Sequence, residues 1–367
     1  MRFRNAPAQI RGSIAPVVSP FTADGAPDLD GLRALIRWQL ESGSHGISLG
    51  GSTGEPSAQT TKERATAIRA AAAEISDQVP FVPGTGSAKL DETLELTAAA
   101  QDAGADAVLI ITPYYARPTQ EGLFAWYSAV ASEFPGLPVI AYNVPSRTAV
   151  DIAPETVARL RREHHNIVGV KETTRDFEHF SRVLHVAGRD TLVWSGIELL
   201  CLPLLALGGA GFVSATANLA PRAVADMYDR WQAGDFDGAR KIHFELHPVT
   251  DVIFTETNPA AAAVSSSVSS SLADPVPGTN GTRSPISSAA AVIAVARSFV
   301  VCAEGSPVEP PREMPCDPDS SCQRISARSP SRSGAPSAVN GETTGAIEPR
   351  MAPGSLLNLI RWAPPVS

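Results

Sequence analysis

The stretch Ile167-Val168-Gly169-Val170-Lys171-Glu172 decides the interpretation of the chain, because it places one lysine at the end of a short apolar run. The run is rich in β-branched residues and a polar turn follows it, so it predicts a buried strand. An ammonium group removed from water is costly unless it is paired or loses its proton. A lysine that loses its proton is a nucleophile toward carbonyl carbon. The alternative is a side chain that leaves the strand and reaches solvent.

Short apolar runs of this kind alternate with amphipathic helical segments up to about residue 218. The predicted strands are Ser13–Pro20, Gly46–Gly51, Pro80–Gly84, Ala107–Thr112, Pro138–Asn143, Ile167–Glu172, Thr191–Ser195 and Gly211–Ala215. One of the helical segments is Asp28–Ser42, with Asp28 as its N-cap. Eight strand–helix units predict an α/β fold of the (β/α)8, or TIM barrel, type over residues 1–218. An open doubly wound sheet usually has a glycine-rich phosphate turn after its first strand, and residues 17–24 contain none.

The composition excludes several classes of function. The chain has 367 residues and a net charge of -8, which argues against nucleic acid or an acidic membrane surface as its main partner. No run of about 18 apolar residues predicts a membrane span, and the N-terminal residues lack the apolar core of a secretory signal. No cysteine and histidine spacing indicates a metal site. We therefore expect a cytoplasmic protein without a metal.

The C-terminal third of the sequence has a different character. Residues 219–258 predict a helical extension of the barrel. Residues 259–367 contain 20 serines, 15 prolines and 8 arginines but no lysine, and they show no sustained periodicity. Such a segment predicts a low-complexity, disordered tail. The composition changes abruptly near residue 259. We therefore hypothesise that the tail is an out-of-frame translation product and that the helical extension is truncated. Resequencing of the gene would decide this.

Polar residues recur where the predicted strands end. In a barrel of this type, the carboxyl ends of the strands face one mouth, where functional residues lie. These strand ends supply a lysine, tyrosines, small hydroxyl groups and an arginine. Any one of these residues alone is more often structural, a tyrosine being typically a core residue with its hydroxyl bonded. Their convergence at one mouth favours an active site. The residues are Ser52, Thr53, Tyr115, Tyr142, Arg147, Lys171, Gly196 and Val213.

Five motifs at these strand ends resemble one known family. They are GGSTGE (50–55), TPYYARPTQEG (112–122), YNVPSRT (142–148), VGVKE (168–172) and ETNP (256–259). In order and spacing, this set resembles the dihydrodipicolinate synthase/N-acetylneuraminate lyase family of class I pyruvate-dependent aldolases. The resemblance covers roughly residues 10 to 259, and the motifs are more specific for the family than for any one member.

The resemblance implies a role for each residue. Lys171 forms a Schiff base with pyruvate, and Tyr142 moves protons between this Schiff base and the substrate. Ser52 and Tyr115 complete a hydroxyl relay with Tyr142, the tyrosine equivalent to Tyr115 crossing a dimer interface in the family. Backbone donors at Ser52 and Thr53 hold the pyruvate carboxylate. Arg147 binds a carboxylate of the second substrate, and Gly196 and Val213 line the pocket.

The acceptor aldehyde remains open at the level of sequence. Arg147 matches the synthase pattern, in which pyruvate condenses with L-aspartate 4-semialdehyde to give 4-hydroxy-tetrahydrodipicolinate. Ser52 replaces the usual threonine and matches members like N-acetylneuraminate lyase, so another pyruvate aldolase or dehydratase of the family is the alternative. A third possibility is an inactive, truncated paralogue. The resemblance also implies a homodimer or homotetramer, and it implies neither a metal nor an organic cofactor.

The resemblance also bears on feedback control. Positions that carry polar ligands in lysine-inhibited synthases are here Pro56, Thr61, Arg64 and Ala88, and only Glu92 and Tyr114 match. We expect lysine to inhibit weakly or not at all.

Overall fold

Seven parallel strands form one curved sheet in the computed structural model, which describes residues 3–260. The strand order is β2-β1-β7-β6-β5-β4-β3. Strands that are consecutive in the chain are therefore paired, except β2 and β3. The strands are β1 Gly12–Pro16, β2 Gly46–Ser48, β3 Val108–Ile111, β4 Val139–Asn143, β5 Ile167–Glu172, β6 Leu192–Ser195 and β7 Gly211–Phe212.

The predicted strand Pro80–Gly84 closes the barrel between β2 and β3. Its backbone forms single bridges to β2 through Phe81 and to β3 through Gly84. The Gly84 amide donates to the Leu49 carbonyl at 2.7 Å, and the Leu109 amide donates to the Pro83 carbonyl at 2.9 Å. Proline has no N–H group, so two prolines in five residues prevent a continuous ladder. The predicted barrel is therefore confirmed, with one of its eight strands reduced to bridges.

The strand β5 matches its predicted bounds and carries Lys171 beside Tyr142 of β4. Gly169, in the middle of this strand, is required by close packing. A Cβ atom at this position would lie 1.8 Å from the carbonyl oxygen of Leu192 in β6. The other strands are shorter than predicted at one or both ends.

Helices follow the strands and cover the outside of the sheet. They are α1 Leu29–Glu41, α2 Thr61–Ile75, α3 Leu90–Asp102, α4 Gln120–Glu133, α5 Pro145–Thr148, α6 Pro154–Glu163, α7 Phe177–Val186, α8 Cys201–Ala206 and α9 Pro221–Gln232. The predicted cap is present, since the Asp28 carboxylate accepts hydrogen bonds from the first amides of α1. The helix α9 packs against β1 and buries Val224 and Met227.

Two apolar layers hold this arrangement together. One layer fills the space between the sheet and the surrounding helices and includes Ile36, Leu96 and Phe180. The other fills the interior of the barrel with side chains that point inward, among them Trp194 and Tyr142. Because Tyr142 belongs to this inner layer, its ring is fixed by packing while its hydroxyl reaches the mouth of the barrel.

Two further helices extend the chain beyond the barrel. In the predicted helical extension, residues 219–258, α9 is followed by α10 Phe236–Glu245 and α11 His247–Ile253. Pro248 stands in the first turn of α11, where a missing N–H group is tolerated, and it does not continue α10. The predicted tail, 259–367, and the frameshift hypothesis lie outside the described residues apart from residues 259 and 260.

Candidate active site

A cavity of about 700 Å³ opens at the carboxyl ends of the strands. Most of the predicted site residues line it, namely Ser52, Thr53, Tyr142, Arg147, Lys171, Gly196 and Val213. A second cavity of about 410 Å³ shares Ser52, Tyr142 and Arg147 with the first. The structure therefore brings seven of the eight predicted residues to one mouth.

The side chain of Lys171 lies inside this mouth rather than in bulk solvent. The residue is 5% exposed, and its Nζ atom lies 4.1 Å from the centroid of the Tyr142 ring. Among residues 3–260, no carboxylate forms a salt bridge with this amine. A buried amine without an anionic partner is costly in a purely structural role. The position of Lys171 thus argues for chemistry at this nitrogen.

The hydroxyl groups of Tyr142 and Ser52 share a hydrogen bond of 3.2 Å. Ser52 opens the one-turn 3-10 helix Ser52–Gly54, which follows β2 after a sharp turn at Gly50. Gly50 has φ 68, a left-handed conformation that favours glycine. This turn carries Ser52 and Thr53 from the end of β2 into the cavity.

Arg147 lies in the short helix α5, directly after β4. Its Nη2 atom donates a 2.6 Å hydrogen bond to the backbone carbonyl of Asn258. The side-chain amide of Asn258 in turn donates to Thr53 Oγ1 at 3.0 Å. The C-terminal end of the described chain therefore reaches back over the mouth of the barrel.

Gly196 and Val213 complete the wall of the cavity next to Lys171. A Cβ atom on Gly196 would lie 2.8 Å from Lys171 Cε and 2.2 Å from Thr173 Cγ2, so any larger residue would displace the lysine side chain. The Val213 amide donates to the Ser195 carbonyl at 2.8 Å, which fixes the end of β7 beside β6.

Tyr115 is the one predicted residue that lies away from this group. Its side chain is 96% exposed, and its backbone has φ 74. An aromatic side chain in so exposed a position, on a backbone that L-residues rarely adopt, indicates a local constraint. Within one chain, Tyr115 lines neither of the two cavities.

A buried carboxylate behind Lys171 was not predicted from the sequence. Glu172 is fully buried, and the Asn143 amide nitrogen donates to both of its carboxylate oxygens at 3.0 Å. The backbone amides of Thr173 and Thr174 also donate to it, each at 2.9 Å. Successive side chains point to opposite faces of a strand, so these bonds hold the strand end from which Lys171 points inward.

His179 completes this buried group from α7. Its Nε2 atom lies 3.1 Å from a Glu172 oxygen, and its Nδ1 atom lies 3.7 Å from Asp151. Burial alone lowers the pKa of His179. The hydrogen bond and charge of Glu172, together with the charges of Asp151 and Asp176, raise the pKa by more than burial lowers it. The pKa of His179 therefore lies above its ordinary value. The raised pKa favours the protonated form of the imidazole beside Glu172.

A second buried acid, Glu198, supports the wall near Val213. Its carboxylate accepts hydrogen bonds from the Ser214 hydroxyl and, at 2.8 Å, from the Ala215 amide. Burial raises the pKa of Glu198, although these bonds act in the opposite direction. The segment after β7 is thereby held against the 3-10 helix Glu198–Leu200.

Within residues 3–260 there is no group of three or more histidine, cysteine, aspartate or glutamate side chains that could hold a metal ion. In the same part of the chain, every helix is too short or too polar to cross a membrane.

Comparison with known proteins places these motifs in one family. The model of the dihydrodipicolinate synthetase family matches residues 9–289 of the chain. The chain belongs to this family. A 4-hydroxy-tetrahydrodipicolinate synthase of Thermus thermophilus is 47% identical over 249 residues, which are 68% of this chain and 83% of that protein. The synthase of Thermodesulfovibrio yellowstonii is 43% identical over 249 residues, 68% of this chain and 84% of that protein.

Solved structures of the family have the same fold. The 4-hydroxy-tetrahydrodipicolinate synthase of the methanotroph Methylacidiphilum fumariolicum SolV is 32% identical, with a TM-score of 0.69 over 80% of this chain and 98% of that one. A prophage protein of the family from E. coli K12, solved in complex with pyruvate, is 30% identical, with a TM-score of 0.68 over 80% of this chain and 99% of that one.

Proposed function

We propose that this chain condenses pyruvate with L-aspartate 4-semialdehyde to give 4-hydroxy-tetrahydrodipicolinate, in the biosynthesis of lysine and diaminopimelate. The observation that carries this proposal is the buried amine of Lys171, which lies without an anionic partner among residues 3–260 against the Tyr142 ring at the mouth of the barrel. Relatives that are 40 to 47% identical bear the name of this synthase, which supports the choice of reaction.

In the first half of the reaction, pyruvate is activated. The neutral Lys171 amine attacks the keto carbon of pyruvate, water leaves, and an imine forms. Tyr142, bonded to Ser52, donates and accepts the protons of these steps. Backbone amides of the turn at Ser52 and Thr53 hold the pyruvate carboxylate. Loss of a proton from the methyl carbon then gives the enamine.

In the second half, the enamine carbon attacks the aldehyde carbon of the acceptor, and the aldehyde oxygen takes up a proton. Arg147 binds the acceptor carboxylate, a task that suits its planar guanidinium. The amino group of the acceptor then displaces the Lys171 amine from the imine carbon, which closes the ring and frees the enzyme. The lysine serves as the electron sink, so the proposed reaction needs no metal or organic cofactor.

An acceptor assay tests the proposal. We expect the purified chain with pyruvate to turn over aspartate semialdehyde much faster than N-acetylmannosamine or glyceraldehyde. Replacing Arg147 with lysine should raise the KM for aspartate semialdehyde about ten- to a hundredfold, the equivalent of one charge-assisted hydrogen bond. Covalent trapping of pyruvate should change far less, because Arg147 binds the acceptor and does not contact pyruvate in this proposal.

The competing reaction is that of another pyruvate aldolase of the family, such as N-acetylneuraminate lyase. The serine at position 52, in place of the usual threonine, favours this alternative. Turnover of N-acetylmannosamine above that of aspartate semialdehyde, unaffected by Arg147→Lys, would establish this alternative and reject the synthase.

Gly196 offers a test of the pocket beside the lysine. We expect Gly196→Ala to impair pyruvate binding and turnover, because the added methyl group overlaps Lys171 Cε and Thr173 Cγ2. Overpacking of this kind costs roughly 1–3 kcal/mol, so pyruvate KM should rise about fivefold or more. The measurement is steady-state kinetics, with Gly136→Ala as a control for folding, because no atom lies within 4 Å of the added Cβ there and the backbone is not left-handed. An unchanged pyruvate KM would show that Gly196 does not confine the lysine.

We further propose a homo-oligomer, a dimer or tetramer, in the cytoplasm. The exposed Tyr115 supports this assembly, because an exposed aromatic side chain on a constrained backbone suits insertion into a neighbouring subunit. Light scattering would give the mass in solution. Mixing Tyr115→Phe chains with Lys171→Ala chains, both expected to be inactive alone, tests the shared site directly. In a mixed dimer, the Lys171→Ala subunit would contribute Tyr115 to the site in which the other subunit supplies Lys171. No recovery of activity in reassembled mixtures would contradict the shared site.

We expect lysine to inhibit the enzyme weakly or not at all. Arg64 is buried near Glu92 and Tyr114, the two residues that match lysine-inhibited synthases, and it donates to the carbonyls of Gly84 and Gly86 at 3.1 Å each. Its guanidinium repels the ammonium groups of an incoming lysine. Initial rates with added lysine measure this, and half-inhibition at a sub-millimolar concentration would refute the expectation.

A further inference from the structure

The segment after α11 crosses the mouth of the barrel. We call residues 255–258 the strap. Thr257 and Asn258 of the strap line both the 700 Å³ and the 410 Å³ cavities, so this segment forms part of the wall of the site. None of the catalytic and binding roles proposed for this site belongs to a residue of the strap.

Asn258 connects the two groups that bind substrate carboxylates in the proposed function. Its side-chain amide donates to Thr53 Oγ1 at 3.0 Å, on the turn that holds pyruvate. Its backbone carbonyl accepts from Arg147 Nη2 at 2.6 Å, on the helix that holds the acceptor. These contacts span 205 and 111 residues of sequence, so neither results from local chain geometry.

Burial of Asn258 leaves one of its polar side-chain atoms unpaired. The residue is 8% exposed, and its Oδ1 atom is buried without a hydrogen-bond partner among the described residues. A buried polar atom left unpaired is unfavourable, and an asparagine used only to fasten a loop could remain at the surface. An asparagine held in this way suits a role in the site beyond fastening the loop.

We propose that Asn258 is a positioning residue that fixes the pyruvate-binding turn at Thr53 relative to Arg147. Asn258 acts through Thr53 Oγ1. It holds the turn that carries Ser52 and Thr53 at the distance from Arg147 that the two substrates require when they are joined. The expected effect on the acceptor rests on the proposed function. The expected effect on pyruvate binding depends only on Schiff-base formation at Lys171. A positioning role predicts that one substitution at Asn258 weakens the binding of both substrates, although Asn258 touches neither reacting atom.

The test is the pyruvate concentration that gives half-maximal borohydride trapping, together with the KM for aspartate semialdehyde. In Asn258→Ala, we expect both values to rise about five- to tenfold, the equivalent of one hydrogen bond, with the same maximal trapping. Thr53→Val should raise the half-saturating pyruvate concentration similarly, and the double variant should show no further increase. Thr255→Val is the control within the strap, because its hydroxyl bonds only to the Val252 carbonyl among the described residues.

The outcomes separate the different failures. A lower thermal midpoint in Asn258→Ala with unchanged half-saturation for pyruvate would show a purely structural asparagine and overturn the proposal. Additive effects in the double variant would also overturn it, since Asn258 would then not act through Thr53. Failure of the chain to use aspartate semialdehyde would reject the proposed synthase, while the pyruvate measurement would still decide the role of Asn258.

Discussion

Replacing Lys171 with alanine is expected to abolish turnover and to remove covalent trapping of pyruvate. The amine of Lys171 is the only lysine nucleophile on the described strands at the mouth, and without it the imine cannot form. The loss should be complete within the sensitivity of the assay, because no other lysine lines the cavity. The chain contains only Lys62, Lys89, Lys171 and Lys241. Steady-state kinetics and the mass of the borohydride-treated protein measure the two effects.

Two variants control this experiment. Lys171→Arg keeps a cation in the site but lacks a neutral amine, so it should be as inactive as the alanine variant. Lys241→Ala removes a lysine that is 75% exposed and should behave like the unmodified chain. Circular dichroism should show that all three variants fold. Turnover by folded Lys171→Ala at more than a trace of the original rate would mean that the reaction proceeds without the proposed Schiff base.

Replacing Tyr142 with phenylalanine is expected to lower kcat about a hundred- to a thousandfold. The variant keeps the ring that packs in the barrel and against Lys171, and it removes only the hydroxyl that bonds to Ser52. Positioned acid–base groups contribute about 10²- to 10⁴-fold to a rate, and water can replace part of this contribution. Pyruvate should still be trapped, but more slowly, because imine formation itself requires proton transfer.

The comparison with Ser52→Ala sharpens this prediction. That variant leaves the Tyr142 hydroxyl in place and removes its hydrogen-bond partner, so kcat should fall less than in Tyr142→Phe. Tyr127→Phe serves as the structural control, since its buried hydroxyl donates to the Ile110 carbonyl away from the mouth. Rates of both Tyr142→Phe and Ser52→Ala within about twofold of the original would be far below the range for acid–base catalysis and would contradict the proton relay.

The barrel was predictable from the sequence because its signal is local. The strand Ile167–Glu172 was predicted to the residue, since an apolar run followed by a polar turn needs no tertiary information. The segment 80–84 shows the limit of such patterns. Its composition is that of a strand, but Pro80 and Pro83 lack the donors for a ladder, and only its neighbours on both sides show that it closes the sheet.

The candidate site was predictable where a strand end carries an unusual residue. Lys171 and Tyr142 are examples, because the fold brings all strand ends to one mouth. Asn258 and Glu172 lie within the family motifs but received no role, since their significance lies in partners far along the chain. Asn258 reaches Thr53 across 205 residues, and Glu172 reaches Asn143 across 29. Tyr115 remains a prediction, because its proposed partner is a second chain.

Mapping the pyruvate adduct on the unmodified chain tests the central claim most directly. The protein is treated with pyruvate and borohydride, digested with trypsin and analysed by mass spectrometry. We expect one reduced pyruvate per chain, in a peptide from Glu163 to Arg175, because modification of Lys171 blocks cleavage after it. The other three lysines, all exposed, should be unmodified. An adduct on another residue, or no adduct in folded protein, would contradict the account.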